Sequence, residues 1–181
     1  MTIAIVRIRG GVRTNQDIRD TLAMLRLDRQ NHLVIIPSNP VLKGMLQKVK
    51  DYVTWGEPDL EAITNVIQFR GRLSGDRRIT DEYIKANSGF ASTRDFAAAV
   101  LGQKAKYSDI KDIKPVIRLH PPRGGYENTK ISYTAGGSLG HRGKDINALI
   151  MRMLGPGSGH WAPRKPPGRK GRTDGGKPDA K

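Results

Sequence analysis

Cysteine is absent from the 181 residues. Its absence removes disulfides, thiolate zinc sites and a cysteine nucleophile together, and makes an intracellular location the default expectation. No apolar run approaches the ~20 residues that a membrane-spanning helix needs. The apolar run at residues 3–6 is too short for a signal peptide and is followed at once by Arg7 and Arg9. Aromatic residues make up only 6 % and apolar residues only 36 %, less than a globular domain usually holds. Histidine is rare, and His32, His120, His141 and His160 share no HxxxH or HExxH spacing, so neither a metal site nor a cofactor is expected. The pairs Asp17/Asp20 and Asp81/Glu82 fall on exposed helix turns, where capping and solvation explain them better than acid–base catalysis. Acid is also short overall: 17 carboxylates face 32 basic side chains, a formal charge of +15. A field of that sign favours a polyanion, and with no membrane-spanning run the expected partner is nucleic acid.

The pattern that is present begins with a strand. Residues 3–9 alternate, with Ala4, Val6 and Ile8 on one face and Ile3, Ile5, Arg7 and Arg9 on the other. Gly10-Gly11 ends the strand, and Thr14 with Asp17 has the spacing of a capping box before a helix carrying Ile18, Leu22 and Leu25. Residues 33–36 read as a buried strand closed by Pro37. Ser38 or Asn39, followed by Pro40, then opens a helix with Leu42, Leu46 and Val49 as its apolar stripe. Val53, Thr54 and Trp55 form a third strand. The order is β-α-β-α-β within residues 1–57, which predicts an α+β fold with two helices on one face of a small sheet.

Residues 58–113 form a mainly helical insertion, with Thr80 capping a helix that ends by Gly89 and with Ser92 and Asp95 as another capping pair. Residues 114–154 read as a strand-loop-helix extension, its last helix marked by Ile146, Leu149, Ile150 and Met153. Residues 155–181 are basic and rich in Gly and Pro, a composition expected to be disordered when free. Net charge by segment is +4 for 1–57, +1 for 58–113, +5 for 114–154 and +5 for the tail. The insertion is therefore expected to pack on the core rather than to supply the main anionic contact.

Chemistry is sought at four places. The stretch 44–57 sets Lys48, Lys50, Tyr52 and Trp55 close together, cations beside aromatic faces, which suits phosphates and stackable bases. For Trp55, burial in the core is the competing use. Residues 138–145 (SLGHRGKD) imitate a Walker A loop but lack its first glycine and its final Ser or Thr. Asp145 would repel phosphate, so nucleotide hydrolysis is not expected. What survives is a glycine loop before a helix, flanked by Arg142 and Lys144, that could cradle an RNA phosphate. The run 118–123 sets Arg118, His120 and Arg123 around two stiffening prolines, and the tail spaces Arg164, Lys165, Arg169, Lys170 and Arg172 with Pro and Gly. Arg7, Arg9 and Arg13 complete the expected phosphate contacts.

Taken together, the phrases RIRG at 7–10, DIRDTL at 17–22, GMLQKVKDYVTWGE at 44–57 and RLHPPRGG at 118–125 resemble the large-subunit ribosomal protein thirty family. The likeness is to its archaeal form, related to the eukaryotic large-subunit protein seven, and it covers residues 1–154. The resemblance implies a β-α-β-α-β sheet domain with some likeness to the ferredoxin fold, followed by the helical and C-terminal extension. It also implies a non-enzymatic constituent of the large (50S) subunit in the cytoplasmic ribosome, serving assembly and translation. Its partners would be 23S ribosomal RNA, the 5S RNA region nearby and other large-subunit proteins, with the chain a monomer within the ribosome. The tail departs from the family pattern. A free-standing RNA-binding regulator would share the charge and the aromatics, and is the alternative reading.

Overall fold

The structure is a computed structural model and describes residues 1–155. The tail with its five expected RNA contacts lies outside the described residues. The chain runs β1 (Thr2–Arg7), α1 (Gln16–Met24), β2 (His32–Pro37), α2 (Pro40–Val49), β3 (Val53–Gly56), α3 (Leu60–Arg70), α4 (Asp81–Ser88), α5 (Thr93–Leu101), β4 (Ile117–Arg118), β5 (Gly140–Gly143) and α6 (Ile146–Met153). The strands form one sheet in the order β4-β2-β1-β3-β5. Every pairing is antiparallel except β3 with β5, which is parallel. The result is the α+β fold that the alternation and helix periods predicted.

The apolar runs of β1 and β2 are explained by burial on both faces. Ile5 and Val34 pack on Leu22, Leu25, Leu42, Leu46 and Val49 from the two helices of the first 57 residues. Ala4, Val6, Leu33 and Ile35 point the other way, into a larger cluster with Ile63, Ile67, Phe96, Val100, Leu149 and Met153. The helical insertion thus covers the second face of the sheet, together with α6.

Helix starts show where local chemistry was sufficient. Thr80 and Ser92 accept hydrogen bonds from the backbone of Tyr83 and Asp95, and Gly89 ends α4 in the left-handed region at φ 70°. Thr14 does not cap α1. Arg13 takes φ 55°, Asn15 becomes the residue before the helix, and the Thr14 hydroxyl turns inward without a partner among the described residues. The glycine loop expected at residues 138–145 is also different, because residues 140–143 are a strand. Gly56 permits this: a Cβ there would overlap the Gly143 carbonyl and crowd Ile146, so only glycine lets β5 approach β3 at their bulge.

Candidate nucleic-acid interface

Strand direction gathers the basic loops at one end of the sheet. Arg7 at the end of β1 stands opposite Val53 at the start of β3, and Val6 opposite Leu33 near the start of β2. Arg118 at the end of β4 pairs with His32, and Gly140 at the start of β5 pairs with Thr54. The segments after Arg7, before His32, before Val53, after Arg118 and before Gly140 therefore converge. Hydrogen bonds join them. The amides of Ile8 and Arg9 donate to the Tyr52 carbonyl at 2.9 and 3.1 Å, Asn31 N donates to Arg7 O at 2.8 Å, and Leu119 N donates to Asn31 O at 3.0 Å. The Tyr126 hydroxyl donates to Asn31 Oδ1 at 2.7 Å, tying in the loop at residues 126–139.

An open groove of about 520 Å³ lies in this end, lined by Ile8, Arg9, Gly10, Val12, Arg13, Gln30, Tyr52, Thr129 and Lys130. The Arg9 guanidinium sits over the Tyr52 ring, 5.2 Å from its centre, and donates to the Asp51 carbonyl at 3.3 Å. Arg13 and Lys130 are exposed at the rim, and Val12, at 89 % exposure, projects from the glycine turn beside them. Lys48 and Lys50 are exposed at the end of α2, with the Lys48 ammonium 4.0 Å from the Asp17 carboxylate. Such an exposed pair is worth little and leaves the lysine available. Cations around an aromatic face and an apolar tip are the groups that hold a nucleic-acid backbone and an unstacked base.

Two expected contacts are used inside the protein. The Arg7 guanidinium is buried and donates to the carbonyls of Leu27 at 2.6 Å, Asp28 at 2.8 Å and Arg9 at 2.9 Å. Burial lowers its pKa, and Asp28 and Tyr52 oppose that shift. Arg142 is buried as well. It donates to the Ser138 carbonyl at 3.2 Å, lies 3.7 Å from the Glu127 carboxylate, and stands 4.3 Å over the Tyr133 ring. Glu127 also meets Arg152 at 3.4 Å and accepts from the Ser138 hydroxyl at 3.1 Å. Tyr133 donates to the Asp145 carboxylate at 2.6 Å, which, with burial, raises its phenol pKa. Arg7 thus frames the floor of the groove, and Arg142 holds the loop that carries Thr129 and Lys130.

Elsewhere the expected residues spread out. Arg118 and His120 are exposed along the β4 edge, with Arg123 half-buried after them. The His120 amide donates to the Met153 carbonyl at 3.0 Å, so this run is anchored on the end of α6. His32 beneath them has its pKa lowered, first by burial and then by Arg118, so the imidazole is neutral near pH 7. Trp55 is half-buried against the cluster under α1 and α2, with its ring centre 6.3 Å from that of His141. Lys144 is exposed but follows β5 at the opposite end, away from the groove. At the start of α6 beside it, Asn147 donates to the Asp59 carboxylate at 2.8 Å and to the Glu57 backbone carbonyl at 3.3 Å.

The structure therefore brings Arg9, Arg13 and Tyr52 into one groove, flanked by Lys48 and Lys50. It adds Gln30, Thr129 and Lys130, which the sequence did not single out. The only signal for Lys130 was the +5 charge of residues 114–154. Nothing local ties it to Arg9, because the two line one groove only through the fold.

Comparison with known proteins gives the family. The family model described as Ribosomal protein L30p/L7e matches residues 3–53. Large ribosomal subunit protein uL30 of Thermoplasma volcanium is 53 % identical over 155 residues, covering 86 % of this chain and 94 % of that protein. The proteins of the same name from Thermoplasma acidophilum and Archaeoglobus fulgidus are 51 % and 47 % identical, over 84 % and 83 % of this chain and 92 % and 98 % of theirs. Identity at that level across almost the whole length of each relative means that this chain belongs to the L30p/L7e family of ribosomal proteins.

Proposed function

We propose that the chain is a non-catalytic structural constituent of the large ribosomal subunit that grips 23S ribosomal RNA with the convergent end of its sheet. The observation that carries this reading is the groove at residues 8–13, 30, 52 and 129–130, where Arg9, Arg13 and Lys130 surround Tyr52. Arg9, Arg13, Lys48, Lys50 and Lys130 meet phosphates, Tyr52 offers a face to a base, and Arg118, His120 and Arg123 extend the contact along the β4 edge. Arg7 and Arg142 serve the same surface from beneath, by holding its backbone. Proximity to 5S RNA and a single copy per ribosome belong to this proposal through the family resemblance. The segments 1–57, 58–113 and 114–154 are read as core, insertion and extension, the core and the extension forming the binding end.

Sedimentation tests the reading. In lysate of the native host, the chain is expected at one copy per large subunit on a sucrose gradient, and is retained through a moderate salt wash. A peak at the top of the gradient would overturn the ribosomal assignment and favour a free-standing RNA-binding regulator.

A further inference from the structure

Residues 58–113 are almost neutral in sum, yet the fold collects their cations in one place. After α3 the chain doubles back through a 3-10 turn at Ser74–Asp76, and Arg72 faces Arg78 across an antiparallel bridge. Arg70 ends α3 beside them, donating to the Leu154 carbonyl at 2.9 Å. Its pKa is lowered by burial and then by the charges of Arg72 and Arg78. Arg77 and Arg78 are exposed. Lys114 reaches in to within 3.0 Å of Asp76, and the fields of Arg72 and Arg118 bear on the same carboxylate.

A like-charge pair set directly across two strands is destabilising. Among the described residues, the ion pairs leave Arg70, Arg72, Arg77 and Arg78 without a carboxylate partner. The cluster is therefore short of negative charge, and only an external anion can supply it. Among the described residues, the large apolar side chains that stand exposed are Met1, Val12, Met24, Val41 and Ile131, none of them in this region. A protein partner would want an apolar centre inside such a polar rim. The planar fork of arginine instead matches phosphate oxygens two at a time.

We propose that the 70–78 hairpin is a second RNA-backbone contact, distinct from the groove, so that the chain bridges two stretches of ribosomal RNA. This rests on the RNA-binding reading above and extends it. The groove lies at the ends of β1, β2 and β3, with Tyr52 at the start of β3 and with Thr129 and Lys130 from the loop before β5. The hairpin lies beyond β4, the opposite edge strand, with Arg118 between the two sites. From β3 to β4 is three strand spacings, roughly 14 Å at about 4.8 Å each, so two backbone segments fit side by side.

The absence of native cysteine makes the test direct. Arg77→Cys and Lys130→Cys variants of the full chain, each carrying a tethered iron–EDTA, are bound to protein-free large-subunit RNA extracted from Thermoplasma volcanium. The cleavage sites are then read by primer extension. Two separate sets of cuts are expected. Arg77→Ala with Arg78→Ala is expected to weaken binding about tenfold and to lower the salt slope by about two, with a melting temperature that is unchanged or raised. Coincident cuts from the two positions, or native affinity and slope in the double variant, would overturn the second contact. In reconstituted large subunits, loss from the double variant of a crosslink to a neighbouring ribosomal protein, with RNA affinity intact, would do so too and would make the hairpin a protein-docking surface. If the native chain itself showed no salt-dependent RNA binding, the failure would lie in the RNA-binding reading.

Discussion

Arg7 and Arg9 are the same residue type two positions apart, on one face of the alternating pattern, and the fold gives them opposite work. Arg7 closes β1 and donates three hydrogen bonds to backbone carbonyls, while Arg9 lies over Tyr52 at the groove. Removing a charged donor leaves its buried acceptors unsatisfied, so Arg7→Met is expected to cost about 3 kcal/mol. Lys130→Ala removes an exposed cation and is expected to change stability by less than about 0.5 kcal/mol while weakening RNA binding. Urea unfolding and filter binding on both variants separate the two roles. Alternation in the sequence could not make this distinction, because it records which face a side chain is on and not what waits there.

His32 gives the residue scale a pH dependence. Its Nδ1 accepts from the Arg29 amide at 3.4 Å, which requires the neutral ring at that nitrogen. Burial and Arg118 hold its pKa below the usual histidine value. The unfolded chain therefore binds a proton at a higher pH than the folded chain does. This contribution to stability is complete above about pH 6.5. It declines as the pH falls from there toward the lowered folded value. His32→Gln is expected to flatten that acidic limb in thermal melts between pH 7 and 5, and an unchanged limb would mean that another group carries it.

At the scale of elements, the loop at residues 126–139 is where function depends on packing most directly. It contributes Thr129 and Lys130 to the groove, and is held by Glu127 between Arg142 and Arg152 and by Tyr133 against Arg142. Only the Arg142 side of this ion pair is buried, and Glu127 keeps Arg152. Arg142→Met mainly leaves the Ser138 carbonyl without its charged donor, and is expected to destabilise by about 2 kcal/mol. It is also expected to speed amide exchange across residues 128–139 and to weaken RNA binding, although its side chain is buried. Normal exchange in that loop with weakened binding would return Arg142 to the list of direct contacts. The caps at Thr80 and Ser92 and the three strands of the first 57 residues were legible because their signals are local. β5 was not: its GHRG sequence has no β-branched residue, and it becomes a strand only because Gly56 lets it pair with β3.

For the molecule as a whole, charge summed along the chain was a poor guide to charge in space. Segment totals placed the excess in residues 114–181 and left 58–113 nearly neutral. Folding brings Arg70, Arg72, Arg77 and Arg78 together near Arg118, with Asp76 of the same hairpin already bound to Lys114. Length and composition report the overall field, but the location of the field is a product of topology. The cations of the groove, the α2 end, the β4 edge and the hairpin suffice to engage six or more phosphates. Each engaged phosphate releases condensed counterions, so affinity for large-subunit RNA is expected to fall by about 10³ or more between 50 and 200 mM salt. A plot of log affinity against log salt with a slope near one would mean that most of these cations never reach RNA. The steep slope would instead require that the strand ends and the hairpin act as one extended basic surface.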